Sequence, residues 1–352
     1  MPASSGAWQI PRPLQRLFDT FPLLTYDRPA DLPERARAAV SDDLPTLYIF
    51  TSPEDAALGA PSFNPGCLKW QTYLRLHSLP HRTLPSTNHA SPTGSLPFLL
   101  PPSSSSSSTS TPIPASQFPA YITRRQTQTS TSTTTTTPQT KPHPPPPATA
   151  TPHTPTPAST AREELIQSLL PPLRTAFLLT LYLTPTSLPL LTSLYLTPST
   201  SSPLLQSSLL SSLRRAAEQE VLKTLAPPCS ATAVVGGRPI IDVARVRAEA
   251  RAAMEALAGF LADAGTEGGE GEGDGDGPWF STGGAPGEVD CGVFGFLFLM
   301  RRFFSSSSSG DGEKGGEGLE EGLGDMVKAA GRGELEGHVR RMAGRVGWGG
   351  YL

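Results

Sequence analysis

The sequence predicts a small α/β module followed by an all-helical module, interrupted by inserts that join neither core. Three observations carry this. Up to about residue 122, short β-branched and aromatic runs flank a single strong helical segment. From Ala161 onward, apolar residues recur at helical spacing instead. Between and within these stretches lie tracts made almost wholly of Ser, Thr, Pro or Gly. Such tracts cannot bury enough apolar surface to offset the entropy of ordering them.

Residues 1–45 read as a Pro-punctuated N-terminal arm with one amphipathic piece, Leu14, Leu17, Phe18 and Phe21, between Pro13 and Pro22. Thr46 to Phe50 (TLYIF) is compact and lacks clean alternation, as suits a strand covered on both faces. A loop rich in turn residues follows and ends at SFNP. Asn64 there can cap a helix whose first position is Pro65, since proline needs no partner for the N–H it lacks. Leu68, Tyr73 (or Thr72), Leu76 and Leu79 continue that helix until Pro80 ends it. His81 to Pro85 reads as a second strand, which makes a β-α-β unit with a parallel crossover. Phe98 to Leu100 is a third strand with Pro97 at its start, a position where proline is tolerated and a candidate for a cis peptide.

The first module is thus 46–122, with a Ser/Thr insert at 103–112 between two strands. A Thr/Pro-rich linker is expected over 123–160, and the helical module over 161–352. In that module Glu163 to Leu183 and Leu204 to Leu225 are Leu-rich, the latter through Leu205, Leu209, Leu213 and Leu222. Asp242 to Ala264 shows the cleanest stripe: Val243, Val246, Ala250, Met254, Leu257 and Leu261, with Asp242 as cap and Gly265 as stop. Glu288 to Phe304 is apolar nearly all round and should be central. Asp325 to Trp348 reads as a weaker, glycine-broken helix with a basic cluster at Arg332, Arg340, Arg341 and Arg345. Flexible inserts are expected at 265–277 and 305–318.

Charge and cysteines exclude several classes. The 28 Lys and Arg nearly balance 31 Asp and Glu, so no global basic field exists to hold a nucleic-acid backbone. Cys67, Cys229 and Cys291 are odd in number and far apart, which argues for buried thiols and against a disulfide framework or a metal site. No apolar run approaches the roughly 18 residues of a membrane span. A basic region followed by an apolar core is missing at the N-terminus, so no secretory signal is expected. The chain is expected to be soluble or peripheral to a membrane.

Three segments, SFNPGCLKWQTYLRLH, NHASPTGSLPFLLP and IPASQFPAYI, closely resemble the N-terminal part of a fungal protein family. This is the metaxin-like smaller subunit of the mitochondrial outer-membrane sorting and assembly machinery, in the glutathione-transferase-like superfamily. The arm WQIPRPLQRLFDTFPLLTY and the later PWFSTGGAPGEVDCGVFGFL fit the same family. The resemblance covers residues 8–122 well and 161–352 more loosely. It implies a thioredoxin-like α/β domain followed by an all-α domain, and a non-enzymatic subunit without a cofactor. It further implies peripheral attachment to the cytosolic face of the mitochondrial outer membrane. The implied partners are a membrane-embedded barrel subunit, a second metaxin-like subunit and the sorting signals of β-barrel precursors.

The competing expectation is a glutathione-dependent transferase using Cys67, with Ser62 as the other candidate near the start of the first long helix. A helix N-terminus would lower a thiol's pKa. The resemblance also locates a vestigial ligand pocket at Cys67, Leu96, Pro97 and Ser116. Transferases hold the γ-glutamyl end of glutathione with an acidic residue followed by Ser. Here Ser116 remains, but Ala115 stands in the acidic position, and a methyl group cannot pair with a charged ligand. The helix at Asp290 should begin with a Ser/Thr-x-x-Asp capping box, of which Gly287 leaves only half. Of the histidines, His89 lies inside the NHASP motif and is expected to fix the turn before Pro97. The acidic GGEGEGDGDG tract lacks the ligand spacing of a calcium loop. No catalytic residue and no metal ligand are expected.

Overall fold

A computed structural model describes residues 44–102, 111–132, 157–225, 234–235, 238–239, 241–267, 277–282, 284–305 and 322–352. The amphipathic piece of the arm, Cys229, and most of the expected linker and inserts lie outside the described residues.

Strands β1 (Thr46–Ile49), β2 (Arg82–Pro85), β3 (Phe98–Leu100) and β4 (Ile113–Pro114) form one sheet in the order β2-β1-β3-β4. β1 and β2 are parallel, in the register Thr46 to Arg82; β3 runs antiparallel to both β1 and β4. The predicted crossover helix is α2 (Pro65–Leu76). It buries Cys67, Leu68, Trp70 and Leu74, and between them these residues reach both hydrophobic cores.

Three local expectations need correction in this half. The turn-rich loop contains a short helix, α1 (Pro53–Leu58), started by the Ser52 hydroxyl accepting from Asp55 N at 3.0 Å and ended by left-handed Gly59. Helix α2 stops before Pro80: Ser78 turns left-handed (φ 52°) and Leu79 N reaches back to Leu74 O at 3.0 Å, a Schellman-type ending. Helix α3 (Phe118–Ser132) runs past Ile122 into the expected linker. Arg124, Arg125, Gln126 and Gln128 are good helix formers, and the hydroxyls of Thr123 and Thr127 donate to the carbonyls four residues back.

The remaining described residues are mostly helical, with a two-stranded hairpin, β5 (Val234–Val235) with β6 (Arg238–Pro239). Helix α4 spans Pro157–Ser168 and so starts before Ala161; α5 spans Leu170–Leu178; α6 is the short Leu188–Leu191; α7 spans Pro203–Leu225. Helix α8 (Val243–Glu267) carries the predicted stripe, with Val246, Ala250, Met254, Leu257 and Leu261 buried and Val243 exposed. Asp242 Oδ1 accepts from Arg245 N at 3.0 Å, as its capping role requires. Gly265 does not end this helix, which runs on to Glu267, because an interior glycine costs only about 1 kcal/mol.

Helix α9 (Glu288–Phe303) is the central element and packs on α2. A Cβ at Gly295 would lie 2.8 Å from the carbonyl oxygen of Pro65, so glycine sets how closely the two helices cross. The last segment is two helices, α10 (Leu323–Ala329) and α11 (Glu334–Arg345). It is less peripheral than its basic residues suggest, since Val339, Met342 and Trp348 are core residues. The C-terminus also ties the halves together: Trp348 Nε1 donates to Gly59 O at 3.1 Å. Arg75 donates to both Gly59 O and Val346 O at 2.7 Å.

Candidate functional site

The N-terminus of α2 is where thiolate chemistry would sit in a scaffold of this kind, because unpaired N–H groups and the helix dipole stabilise an anion there. The polar side chains there are already engaged. The Asn64 side-chain oxygen accepts from Cys67 N at 3.2 Å, the predicted cap, with Pro65 in the first turn. The same side chain donates through Nδ2 to the Tyr195 hydroxyl at 3.4 Å. Ser62 is fully buried; its hydroxyl donates to Phe50 O at 2.6 Å and accepts from Asn64 N at 3.2 Å. Ser62 N donates to Gln71 Oε1 at 2.9 Å, and Gln71 Nε2 donates to Ala60 O at 2.9 Å. These bonds lock the loop before the helix.

Cys67 points into the core between sheet and helix. Burial pushes its thiol up to about 12, which the Phe50 backbone and Ser62 hydroxyl only partly offset. It is therefore protonated at neutral pH, contrary to what thiolate catalysis at this residue would need.

Aromatic rings cover the end of the helix. Tyr195 packs against Phe63 at 4.9 Å, Phe50 at 5.3 Å and Tyr182 at 5.8 Å between ring centroids. Burial pushes the Tyr195 phenol well up. Both tyrosines come from turns of one design: Leu179–Leu183 and Thr192–Leu196 are π turns. Each is closed by a threonine, Thr184 or Thr197, whose N–H and hydroxyl both donate to the carbonyl five residues back. Sequence reasoning missed these tyrosines. The available signal was the repeat Leu-Tyr-Leu-Thr-Pro, at Leu181–Pro185 and again at Leu194–Pro198.

The other expected pocket residues divide between the core and the surface. Leu96 packs against the core cluster that holds Cys67, and Pro97 is buried after a cis Leu96–Pro97 bond. Ser116 is exposed in a 3-10 turn, and the methyl of Ala115 packs on the core. The turn before Pro97 is fixed by Asn88, whose Oδ1 accepts from Leu96 N at 3.0 Å, and not by His89, which is exposed.

At the start of α9, Asp290 is fully buried. Oδ2 accepts from Gly287 N at 2.9 Å, the expected half of the capping box. Three further donors reach the same carboxylate from outside the helix. Ser281 Oγ donates to Oδ2 at 2.6 Å and Ser281 N at 3.1 Å, while Phe280 N donates to Oδ1 at 2.8 Å. A Cβ at Gly287 would lie 2.4 Å from Ser281 Oγ, so the serine occupies the space that a side chain at the cap would take. The basic cluster is partly absorbed: Arg341 and Arg345 lie over the Trp279 ring, and Arg340 pairs with Glu336 at 3.0 Å. Among the described residues, no group of three or more potential ligands could hold a metal ion.

Residues 65–134 match the family of the glutathione S-transferase N-terminal domain. Together with the four-stranded mixed sheet and the helical remainder, this gives the chain a glutathione-transferase-like fold. A comparison with curated proteins finds no match.

Proposed function

We propose that the protein is a non-enzymatic, peripheral subunit of the mitochondrial outer-membrane sorting and assembly machinery, acting on its cytosolic face in the recognition of β-barrel precursors. Its partners are a membrane-embedded barrel subunit and a second metaxin-like subunit. The observation that carries the reading is the closed N-terminus of α2. Asn64 is engaged by Cys67 N and Tyr195, Ser62 by Phe50 and Asn64, and the Cys67 thiol is buried and protonated. A transferase-like scaffold without an accessible nucleophile retains surfaces for other proteins. The SFNPGCLKWQTYLRLH and NHASPTGSLPFLLP segments supply the family resemblance.

The same observation weighs against a glutathione-dependent transferase acting through Cys67. Proline on both outer strands, Pro85 and Pro114, removes backbone donors from the sheet edges, so strand addition has little to offer a precursor signal. The test is affinity purification of the full chain from mitochondria, combined with carbonate extraction. The expected result is an extractable protein that brings down an outer-membrane barrel protein. A soluble chain retained on immobilised glutathione, with turnover lost in Cys67→Ala, would replace this reading with the enzymatic one. Purification without any barrel protein would leave a free-standing adaptor of another trafficking step.

A further inference from the structure

Between Arg174 and Arg214 the chain carries no charged residue. This stretch covers the end of α5, the two π turns, α6 and the N-terminal half of α7. Water-facing protein surface normally carries about a quarter to a third charged residues. Here the exposed positions are leucine, serine, threonine and proline.

Three leucines on the first turns of α7 face outward: Leu204 is 84% exposed, Leu205 57% and Leu209 42%. The buried residues of this helix, Ala217 and Val221, both lie in its second half. The character of α7 changes at Arg214. Beyond it come Arg215, Glu218, Glu220 and Lys223.

Four of the exposed hydroxyls of the stretch are turned inward to the backbone. Ser193 donates to Leu190 O at 2.8 Å, Ser199 to Tyr195 O at 3.0 Å and Ser211 to Ser207 O at 3.0 Å. Thr197 closes its π turn in the same way. Each of these hydroxyls lies on the surface, where water could have taken the bond. A surface that carries no charge, presents leucines and satisfies part of its own donors suits the boundary between headgroups and acyl chains, where its remaining hydroxyls can still meet water or headgroups. A protein partner would more commonly be met by a polar, charge-bearing rim.

We infer that the uncharged lobe from Thr175 to Leu213 docks on a lipid bilayer. Leu204, Leu205 and Leu209 enter the acyl boundary, and Arg215 sits at headgroup level, while Arg214 stays bonded to the carbonyls of Tyr182 and Leu183. The mode is partial insertion: no single described helix is long and apolar enough to cross a membrane, and the bent pair Thr160–Leu183 and Pro185–Leu196 passes the hydropathy criterion only jointly. The inference stands on the lobe itself and survives if the proposed complex is wrong, because its test uses the purified chain alone.

The test is flotation of the full chain with phosphatidylcholine vesicles, with and without anionic lipid. Binding to the neutral vesicles is expected, and the triple variant Leu204→Ser, Leu205→Ser, Leu209→Ser should bind at least tenfold more weakly. The three sites are exposed, so the variant should keep the wild-type melting temperature. Leu58→Ser, at another exposed leucine (77%) outside the lobe, should bind as wild type does. Absence of wild-type binding would overturn the inference, as would equal binding by wild type and triple variant. Binding confined to anionic vesicles and abolished by salt would also overturn it, as would a wild-type dimer in light scattering that the triple variant breaks.

Discussion

His338 gives the sharpest energetic prediction. It lies on α11, fully buried, with its ring 4.9 Å from that of Phe280 and 5.9 Å from that of Trp279. Burial pushes its pKa down from 6.5 to about 4; Arg341 acts in the same direction, and Asp290 opposes both. In the unfolded chain the imidazole takes up a proton near pH 6.5, whereas in the folded chain it stays neutral until about pH 4. Between these values the unfolded state binds more protons, so stability falls as the pH is lowered. At about 1.4 kcal/mol per pH unit, the gap corresponds to about 3 kcal/mol lost between pH 6.5 and pH 4. Chemical denaturation at pH 7, 6, 5 and 4.5, for wild type and His338→Phe, isolates this share from that of the carboxylates. The variant should lose clearly less stability on acidification, whatever its stability at pH 7. Parallel stability–pH curves for the two proteins would refute the assignment of a neutral buried imidazole.

Two further substitutions probe the central helix. Asp290→Ala strands the N–H groups of Phe280, Ser281 and Gly287, at about 1–3 kcal/mol for each that stays dry, whereas Ser281→Ala removes one hydroxyl donor and should cost about 1 kcal/mol. Thermal denaturation should therefore rank Asp290→Ala well below Ser281→Ala, and equal melting temperatures would show that water reaches the carboxylate. Gly295→Ala places a methyl 2.8 Å from the Pro65 carbonyl and should destabilise by about 1–3 kcal/mol, read as a lower denaturation midpoint. An unchanged midpoint would show that α2 and α9 separate without cost.

How much of this was legible in the sequence depends on the range of the interaction. Asn64 and Pro65 announce a helix start because cap and first turn are adjacent residues, and the structure uses both as expected. The stripe on α8 is legible because 3.6-residue periodicity survives without knowledge of what it packs on. The Schellman ending of α2 was not, since Pro80 gave a stronger stop signal than the left-handed Ser78. Nor could sequence pattern show that Tyr195 would reach Asn64, or Ser281 Asp290, because those contacts depend on how loops and turns return to a helix start. Arg340, Arg341 and Arg345 made α11 read as a solvated basic helix, although its other face carries the fully buried His338, Val339 and Met342.

The polar groups near both helix starts argue jointly about what kind of surface this protein offers. A catalytic site needs buried polar groups whose hydrogen-bonding capacity is left for a ligand. At α2, Asn64 and Ser62 are bonded within the fold, and at α9 a single carboxylate gathers Gly287 N, Phe280 N, Ser281 N and the Ser281 hydroxyl. Even the surface hydroxyls of Ser193, Ser199 and Ser211 bond to their own helices. The side chains that would orient a small polar ligand at these places are engaged within the fold, which favours the proposed recognition by shape and apolar area over the grip on a charged tripeptide. Asn64→Ala would remove one partner of the Tyr195 hydroxyl, which also meets Tyr182, and expose the start of α2, yet by this logic it would create no glutathione affinity while Cys67 stays buried beneath the same turn.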